Sequence, residues 1–266
     1  NCVVTDHIAS MANPSNFTLS AWVYIHADTL NSFILTNYET SSQYTWIGYV
    51  DTNNRFQFRI HDGSTTTTIY TEDNTAVAGK WHHVVAVADS TDASDGAEIF
   101  LNGSSESTDT YRTYNDSSSR KWVIGARKAS APQDSFCGII DECSVWNHAM
   151  TSTEVSELYN SGLPLNATKH SKSENLKGYW RNNNLNSDGK WKDLVGSAHG
   201  TVTGLDETVF FQEGVTANLD SQGFNTNIQH PSNGAAYFDG VTNYINAGTN
   251  PGVDNTFDGG GTVEAW

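Results

Sequence analysis

From Phe17 to Ile25 apolar residues fall at every second position, at Phe17, Leu19, Ala21, Val23 and Ile25. That period buries one face of a β-strand and turns the other away from the core. Shorter apolar runs follow at 33–36, 45–50, 55–60, 67–70, 82–88, 97–101, 121–126 and 136–146. Between them lies turn material rich in Asp, Asn, Ser and Gly, at 51–54, 61–64, 102–103 and 109–119. Many short strands with turn signals between them predict an all-β antiparallel sandwich or jelly roll. Only one stretch predicts a helix. Thr151-Ser-Thr-Glu154 is a capping-box pattern, Val155, Leu158 and Tyr159 then share a face, and Gly162 is the expected stop.

The chain also repeats itself. Val4-Thr5-Asp6-His7-Ile8 and Phe17-Thr18-Leu19-Ser20-Ala21-Trp22 return as Val241-Thr242-Asn243-Tyr244-Ile245 and Gly261-Thr262-Val263-Glu264-Ala265-Trp266. The gap between the two halves is longer in the second copy, as a loop insertion between fixed strands would make it. Residues 162–175 follow neither period and carry Pro164 with several Ser and Lys, so they read as a linker. Leu176–Trp180, 200–204, 209–211 and 235–238 then read as new strands. The expected organisation is one unit at 1–161 lacking its opening strands, the linker, and the opening part of a second unit at 176–266. On this reading the protein continues in both directions.

Composition narrows the possible partners. Thirty acidic against fourteen basic residues give a formal charge of −16, which repels nucleic acid and anionic lipid. No apolar stretch approaches the roughly 20 residues that a membrane-spanning helix needs. Eight Trp, eleven Tyr and eleven Phe supply large core surfaces although hydrophobic residues total only 37%. Cys2, Cys137 and Cys143 are too few for a disulfide scaffold and show no zinc spacing. Asn16, Asn102, Asn115 and Asn166 open N-glycosylation triplets, a pattern that a chain rich in Asn, Ser and Thr produces by chance.

Several stretches resemble the laminin G-like, concanavalin A-like jelly rolls, a group that includes the pentraxins. They are Phe17-Thr-Leu-Ser-Ala-Trp-Val23, Lys80-Trp-His-His-Val-Val-Ala86 with Ala97-Glu-Ile-Phe-Leu-Asn-Gly103, and Phe136-Cys-Gly-Ile-Ile-Asp-Glu142 with Val145-Trp-Asn147 and Met150-Thr-Ser-Thr-Glu154. Gly178-Tyr-Trp180, His199-Gly-Thr-Val202 and 237–245 resemble the family's opening strands. The resemblance implies a sandwich in which Asn102-Gly103 turns a hairpin and the alternating Trp and aliphatic positions face the space between two sheets. It implies calcium at the motif's acidic position, Asp141, with Glu142 beside it. Because opening and closing strands lie close together in this fold, it also allows Cys2 to pair with Cys137 or Cys143, or all three to be buried thiols. Residues 209–217 and 220–224 resemble laminin G-like repeats in bacteriophage structural proteins.

No catalytic constellation is visible. On a regular strand the adjacent Asp141 and Glu142 point to opposite faces, as do His82 and His83, so neither pair works as one acid and base. One histidine of the second pair is expected packed and the other solvated. No nucleophile elbow, metalloprotease helix, Walker loop or dinucleotide fingerprint appears. Tyr44, Trp46 and Tyr49, with Asn54 and Asp62 in nearby turns, are candidates to stack on a sugar and bond its hydroxyls, with a core position for Trp46 as the alternative. The expected function is a noncatalytic, glycan- or surface-binding module, extracellular or on a virion, whose partners are carbohydrate, copies of itself or neighbouring structural proteins. A purely structural role in a fibre or capsid decoration is the alternative, and an accessory domain of a glycoside hydrolase a remote one.

Overall fold

The computed structural model describes residues 2–12, 14–26, 30–38, 43–113, 120–128, 134–181 and 186–203. Its strands are β1 (Cys2–His7), β2 (Phe17–Ile25), β3 (Ser32–Thr36), β4 (Tyr44–Val50), β5 (Arg55–His61), β6 (Thr66–Tyr70), β7 (Trp81–Ala88), β8 (Ala97–Leu101), β9 (Ser104–Asp109), β10 (Lys121–Ile124), β11 (Gly138–Trp146), β12 (Leu176–Trp180) and β13 (Gly200–Thr203). One helix, α1 (Ser152–Tyr159), follows β11. A seven-stranded sheet runs β13-β1-β10-β3-β4-β5-β6 and a six-stranded sheet runs β12-β11-β2-β7-β8-β9, and the paired strands are antiparallel. This is the two-sheet sandwich that the alternating pattern predicts.

The core lies between the sheets. Leu19, Ala21, Val23 and Ile25 of β2 share it with Phe56, Phe58 and Ile60 of β5, all at 1% exposure or less. Phe17 meets Phe58 edge to face, with ring centroids 6.3 Å apart. Fully burying such a side chain contributes about 1.5–3 kcal/mol, so this double row dominates the stability of the fold.

Period two also explains where one expectation fails. Trp22 alternates with Ala21 and Val23, so it leaves the sandwich interior for the outer face of the six-stranded sheet. There it stacks on His83 (centroids 5.1 Å apart) and on Tyr159 (5.7 Å). That outer face is roofed by α1. Val85, Val87, Phe100 and Trp146 of the sheet pack against Met150, Val155 and Leu158.

The helix begins as predicted. Thr151 accepts from the Glu154 N–H while the Glu154 side chain accepts from the Thr151 N–H, a complete capping box. It ends at Asn160 in a left-handed conformation (φ 48°), two residues before the expected Gly162. Asn102 (φ 50°) and Gly103 (φ 81°) form the two-residue turn between β8 and β9. A Cβ on Gly103 would lie 2.7 Å from Tyr159 Cδ1, so the helix end rests on this glycine.

Residues 162–175, expected as a linker, are packed against the sheet. They bury Ala167 and His170 and tie back to α1 through His170 Nε2, 2.9 Å from Glu154 O, and through Ser171, which hydrogen-bonds Glu157. The next strands join the first sandwich. β12 pairs with β11, Cys143 opposite Trp180, and β13 pairs with β1, Val3 opposite Val202. Residues 176–203, assigned from sequence to a second unit, are thus the outermost strands of both sheets and the loop between them. Asp193 organises that loop: its carboxylate accepts from the N–H groups of Tyr179, Val195 and Ala198, each at 3.1 Å. The strands expected at 209–211 and 235–238, the repeat copy at 241–266 and the Asn115 triplet lie outside the described residues.

Cys2 is buried on the outer side of the seven-stranded sheet with Val123 and Ala126, whereas Cys143 is buried between the sheets. No disulfide joins Cys2 to Cys143 or to the exposed Cys137. Neither alternative holds in full: Cys2 and Cys143 are buried thiols on opposite sides of a sheet, while Cys137 is exposed.

Candidate functional site

Strands β4, β5 and β6 send Ile47, Tyr49, Phe56, Phe58, Ile60 and Ile69 into the core. Alternation therefore turns Tyr44 and Trp46, then Arg55, Gln57, Arg59 and His61, then Thr66, Thr68 and Tyr70, to the outer face. The register sets these side chains in rows. Tyr44 lies opposite His61, and Trp46 opposite Arg59. Across the next pair, Arg59 lies opposite Thr68 and Gln57 opposite Tyr70.

The rings and cations of this face interlock. Tyr44 stacks on His61 at 5.0 Å, meets Tyr38 at 5.0 Å, and has the Arg59 guanidinium 5.8 Å from its centroid. Trp46 packs against Phe33 at 4.6 Å and lies over Gly48, where a Cβ would come within 2.8 Å of its ring. At the sheet edge the Arg55 guanidinium sits 3.8 Å over the Tyr70 ring, while Gln57 Nε2 donates to the Tyr70 hydroxyl at 3.0 Å. The outcome is a face of flat rings and forked donors on a rigid sheet.

Of the sugar candidates read from sequence, Tyr44 and Trp46 lie on this face, at 9% and 7% exposure. They are its floor, and Tyr38, Phe33, His61 and Tyr70 form the more exposed rim. Tyr49 belongs to the core instead, and its hydroxyl donates to Asn54 Oδ1 at 2.9 Å. Asn54 is the left-handed residue (φ 47°) at one end of the β4–β5 hairpin. Asp62, at the other end, accepts from Thr65 N at 2.7 Å and Ser64 N at 2.8 Å. Those N–H groups, Thr65 first, hold its carboxyl below the usual range against the cost of burial. The five candidates therefore do not converge: Tyr49 and Asn54 are structural. Gln57, Arg59, His61, Thr68 and Tyr70 share the outer face with Tyr44 and Trp46, and polar residues at each odd position from 55 to 61 are the sequence signal for that face.

Asp141 and Glu142 do not fit calcium. A bulge between Asp141 and Ser144 breaks the alternation, and Glu142 takes φ 53°. Its Oε1 accepts from Arg181 Nε at 2.8 Å and its Oε2 from the Tyr179 hydroxyl. Burial, then the Glu142 charge, push the Tyr179 hydroxyl well above its ordinary pKa, so it stays protonated and donates. A guanidinium already neutralises this carboxylate, and a divalent cation beside it would be repelled. Among the described residues no three His, Cys, Asp or Glu side chains cluster as a metal site.

His82 and His83 do point to opposite faces, but both are buried, at 4% and 1% exposure, so neither is the solvated one expected. His83 shares a 2.8 Å hydrogen bond with Ser20 Oγ. This is not a nucleophile and its base: both groups are sealed beneath Trp22 and Tyr159, and His83 Nδ1 meets no orienting acid.

The comparisons agree with this architecture. A laminin G-type family model described as the concanavalin A-like lectin/glucanases superfamily matches residues 2–156. No curated protein sequence matches the chain. Among solved structures, a protein from Bacteroides ovatus described as carbohydrate-binding has 18% identity and a TM-score of 0.58, over 76% of this chain. The chain spans 55% of that protein's length. The heptameric SAP-like pentraxin of Limulus polyphemus is 17% identical, with a TM-score of 0.44 over 59% of this chain and 75% of its own. Domain 4 of an extracellular arabinanase from Geobacillus stearothermophilus, solved in complex with arabinotriose, is 15% identical, with a TM-score of 0.43 over 56% of this chain and 69% of its own. With two antiparallel sheets in jelly-roll arrangement and a family match over more than half its length, the chain belongs to the concanavalin A-like lectin/glucanases superfamily.

Proposed function

We propose that this chain is a noncatalytic glycan-binding module of a larger, surface-exposed protein, and that it binds through the outer face of β4, β5 and β6. The observation that carries the reading is the row arrangement of Trp46, Arg59 and Thr68 beside Tyr44, His61, Gln57 and Tyr70. Flat rings take the apolar faces of sugar rings, and forked amide, guanidinium and hydroxyl groups take their hydroxyls. A rigid sheet holds these groups without an ordering cost on binding. The resemblance to a carbohydrate-binding protein of the same fold supports the choice of ligand class. Calcium has no part in this reading, and the internal sequence repeat supports placing the module in an array on a cell or virion surface.

Tryptophan fluorescence during titration with a panel of oligosaccharides tests it. A saturable change that is lost in His61→Ala and in Gln57→Ala is expected. A panel that leaves the wild-type signal unchanged would sink the reading.

A further inference from the structure

Acidic residues outnumber basic ones thirty to fourteen in this chain, so an arginine has carboxylates in excess to pair with. Four of the six arginines sit beside named acceptors: Arg55 bonds Asp73 at 2.8 Å, Arg181 bonds Glu142 at 2.8 Å, Arg127 lies 3.4 Å from Asp134, and Arg112 Nε donates to Thr67 Oγ1 at 3.3 Å. A fifth, Arg120, donates to the Gln43 carbonyl. Arg59 stands apart. Among the described residues its Nε is buried with no acceptor, as are those of Arg55 and Arg127, but no carboxylate meets its terminal nitrogens as Asp73 and Asp134 meet theirs, and its guanidinium lies against the Tyr44 ring. The carboxylate of nearby Asp62 is committed to its own turn through Ser64 and Thr65.

Position gives this cation a use. Arg59 occupies the centre of the binding face, with Trp46 on one side strand and Thr68 on the other, and Gln57 and His61 two residues away along β5. It is half-buried. A guanidinium with a fixed stem presents a planar fork of donors that matches both oxygens of one carboxylate. A partly desolvated site strengthens that pairing, whereas a neutral sugar offers only hydroxyls to the same fork. The overall negative charge would otherwise repel acidic glycans, so a local unpaired cation is what their recognition needs.

We infer that this face selects sugars carrying a carboxylate, such as sialic or uronic acids, with Arg59 as the anchor for the carboxylate. This rests on the glycan-binding reading above and adds the ligand class. His61 and Trp46 then border the sugar ring, while Gln57 and Thr68 meet its hydroxyls.

Calorimetric titration with two matched pairs tests it: 3′-sialyllactose against lactose, and trigalacturonate against galactotriose. One acidic probe is expected to bind at least about ten-fold tighter than its neutral partner, and the pair that responds identifies the source of the carboxylate. Arg59→Gln should abolish that preference, and Arg59→Lys, which keeps the charge without the fork, should retain part of it. Melting curves of both variants confirm that they are folded. Equal affinity for acidic and neutral members, or a preference that survives Arg59→Gln, would overturn the carboxylate assignment while leaving glycan binding in place. Failure of all four probes to bind would overturn the carboxylate assignment, while the wider oligosaccharide panel decides glycan binding itself.

Discussion

Arg181 Nε donates to Glu142 Oε1 at 2.8 Å, and both side chains are more than nine-tenths buried where β12 joins β11. The pair ties the outermost strand of the six-stranded sheet to its neighbour at a bulge whose backbone is held at φ 53°. Breaking one half leaves a charge stranded out of water. Arg181→Met should therefore cost about 3–5 kcal/mol, read from the midpoint of urea unfolding. Adding Glu142→Gln should recover much of that loss, because the carboxylate that Arg181 bonds is then no longer charged. If the double variant is no more stable than the single one, the stranded charge is not the cause.

Acid should weaken the fold through its histidines first. Burial lowers His83 from 6.5 to about 3, and lowers His82 as well. The unfolded chain takes up protons near 6.5, but the folded chain does not. Their contribution is thus intact above about 6.5 and is lost as pH falls toward the depressed folded values. His83→Phe should flatten that part of the melting-temperature profile, at the cost of leaving Ser20 without its hydrogen-bond partner. An unchanged profile in the variant would place the acid sensitivity elsewhere.

A second acid window belongs to the helix cap. Burial opposes ionisation of Glu154, yet the Thr151 N–H and His148 outweigh it and bring its pKa from 4.5 to about 2. A depressed carboxyl stabilises the fold above its ordinary value, and that stability is lost as pH falls from 4.5 toward 2. Thr151→Ala should cost about 1 kcal/mol at neutral pH, and Glu154→Gln, which removes the titrating carboxyl, should flatten this window. Matching acid profiles for the Glu154→Gln variant and wild type would argue against the cap.

Gly103→Ala strains a left-handed position at φ 81° and drives a methyl group to 2.7 Å from the Tyr159 ring. A cost of more than about 1 kcal/mol is expected, together with weaker stacking of Tyr159 on Trp22 and His83. Near-ultraviolet circular dichroism of this aromatic trio reports that change. A neutral substitution would mean that the helix end moves aside at no cost.

The strands were legible because their signal is local. Period two in Phe17–Ile25 fixes which side chains enter the core, and the same period in 55–61 marks an outer polar row. The family motif implies an interior Trp, whereas the alternation of Trp22 with Ala21 and Val23 puts it outside. What could not be read were features set by distant partners. The bulge at Glu142 answers Arg181 and Tyr179, 39 and 37 residues away, and β13 finds β1 across the whole unit. Arg59 was invisible as a site residue for the same reason: its distinction is the lack of a carboxylate at its terminal nitrogens, which only the packed arrangement reveals.

The most direct test of the central claim is a glycan array probed with the wild-type chain and with the Gln57→Ala/His61→Ala variant side by side. The account predicts that the wild type binds at least one class of oligosaccharide and that the variant, shown folded by a cooperative melting transition, loses that binding. Equal binding by the two proteins, or no binding by the wild type, would contradict it.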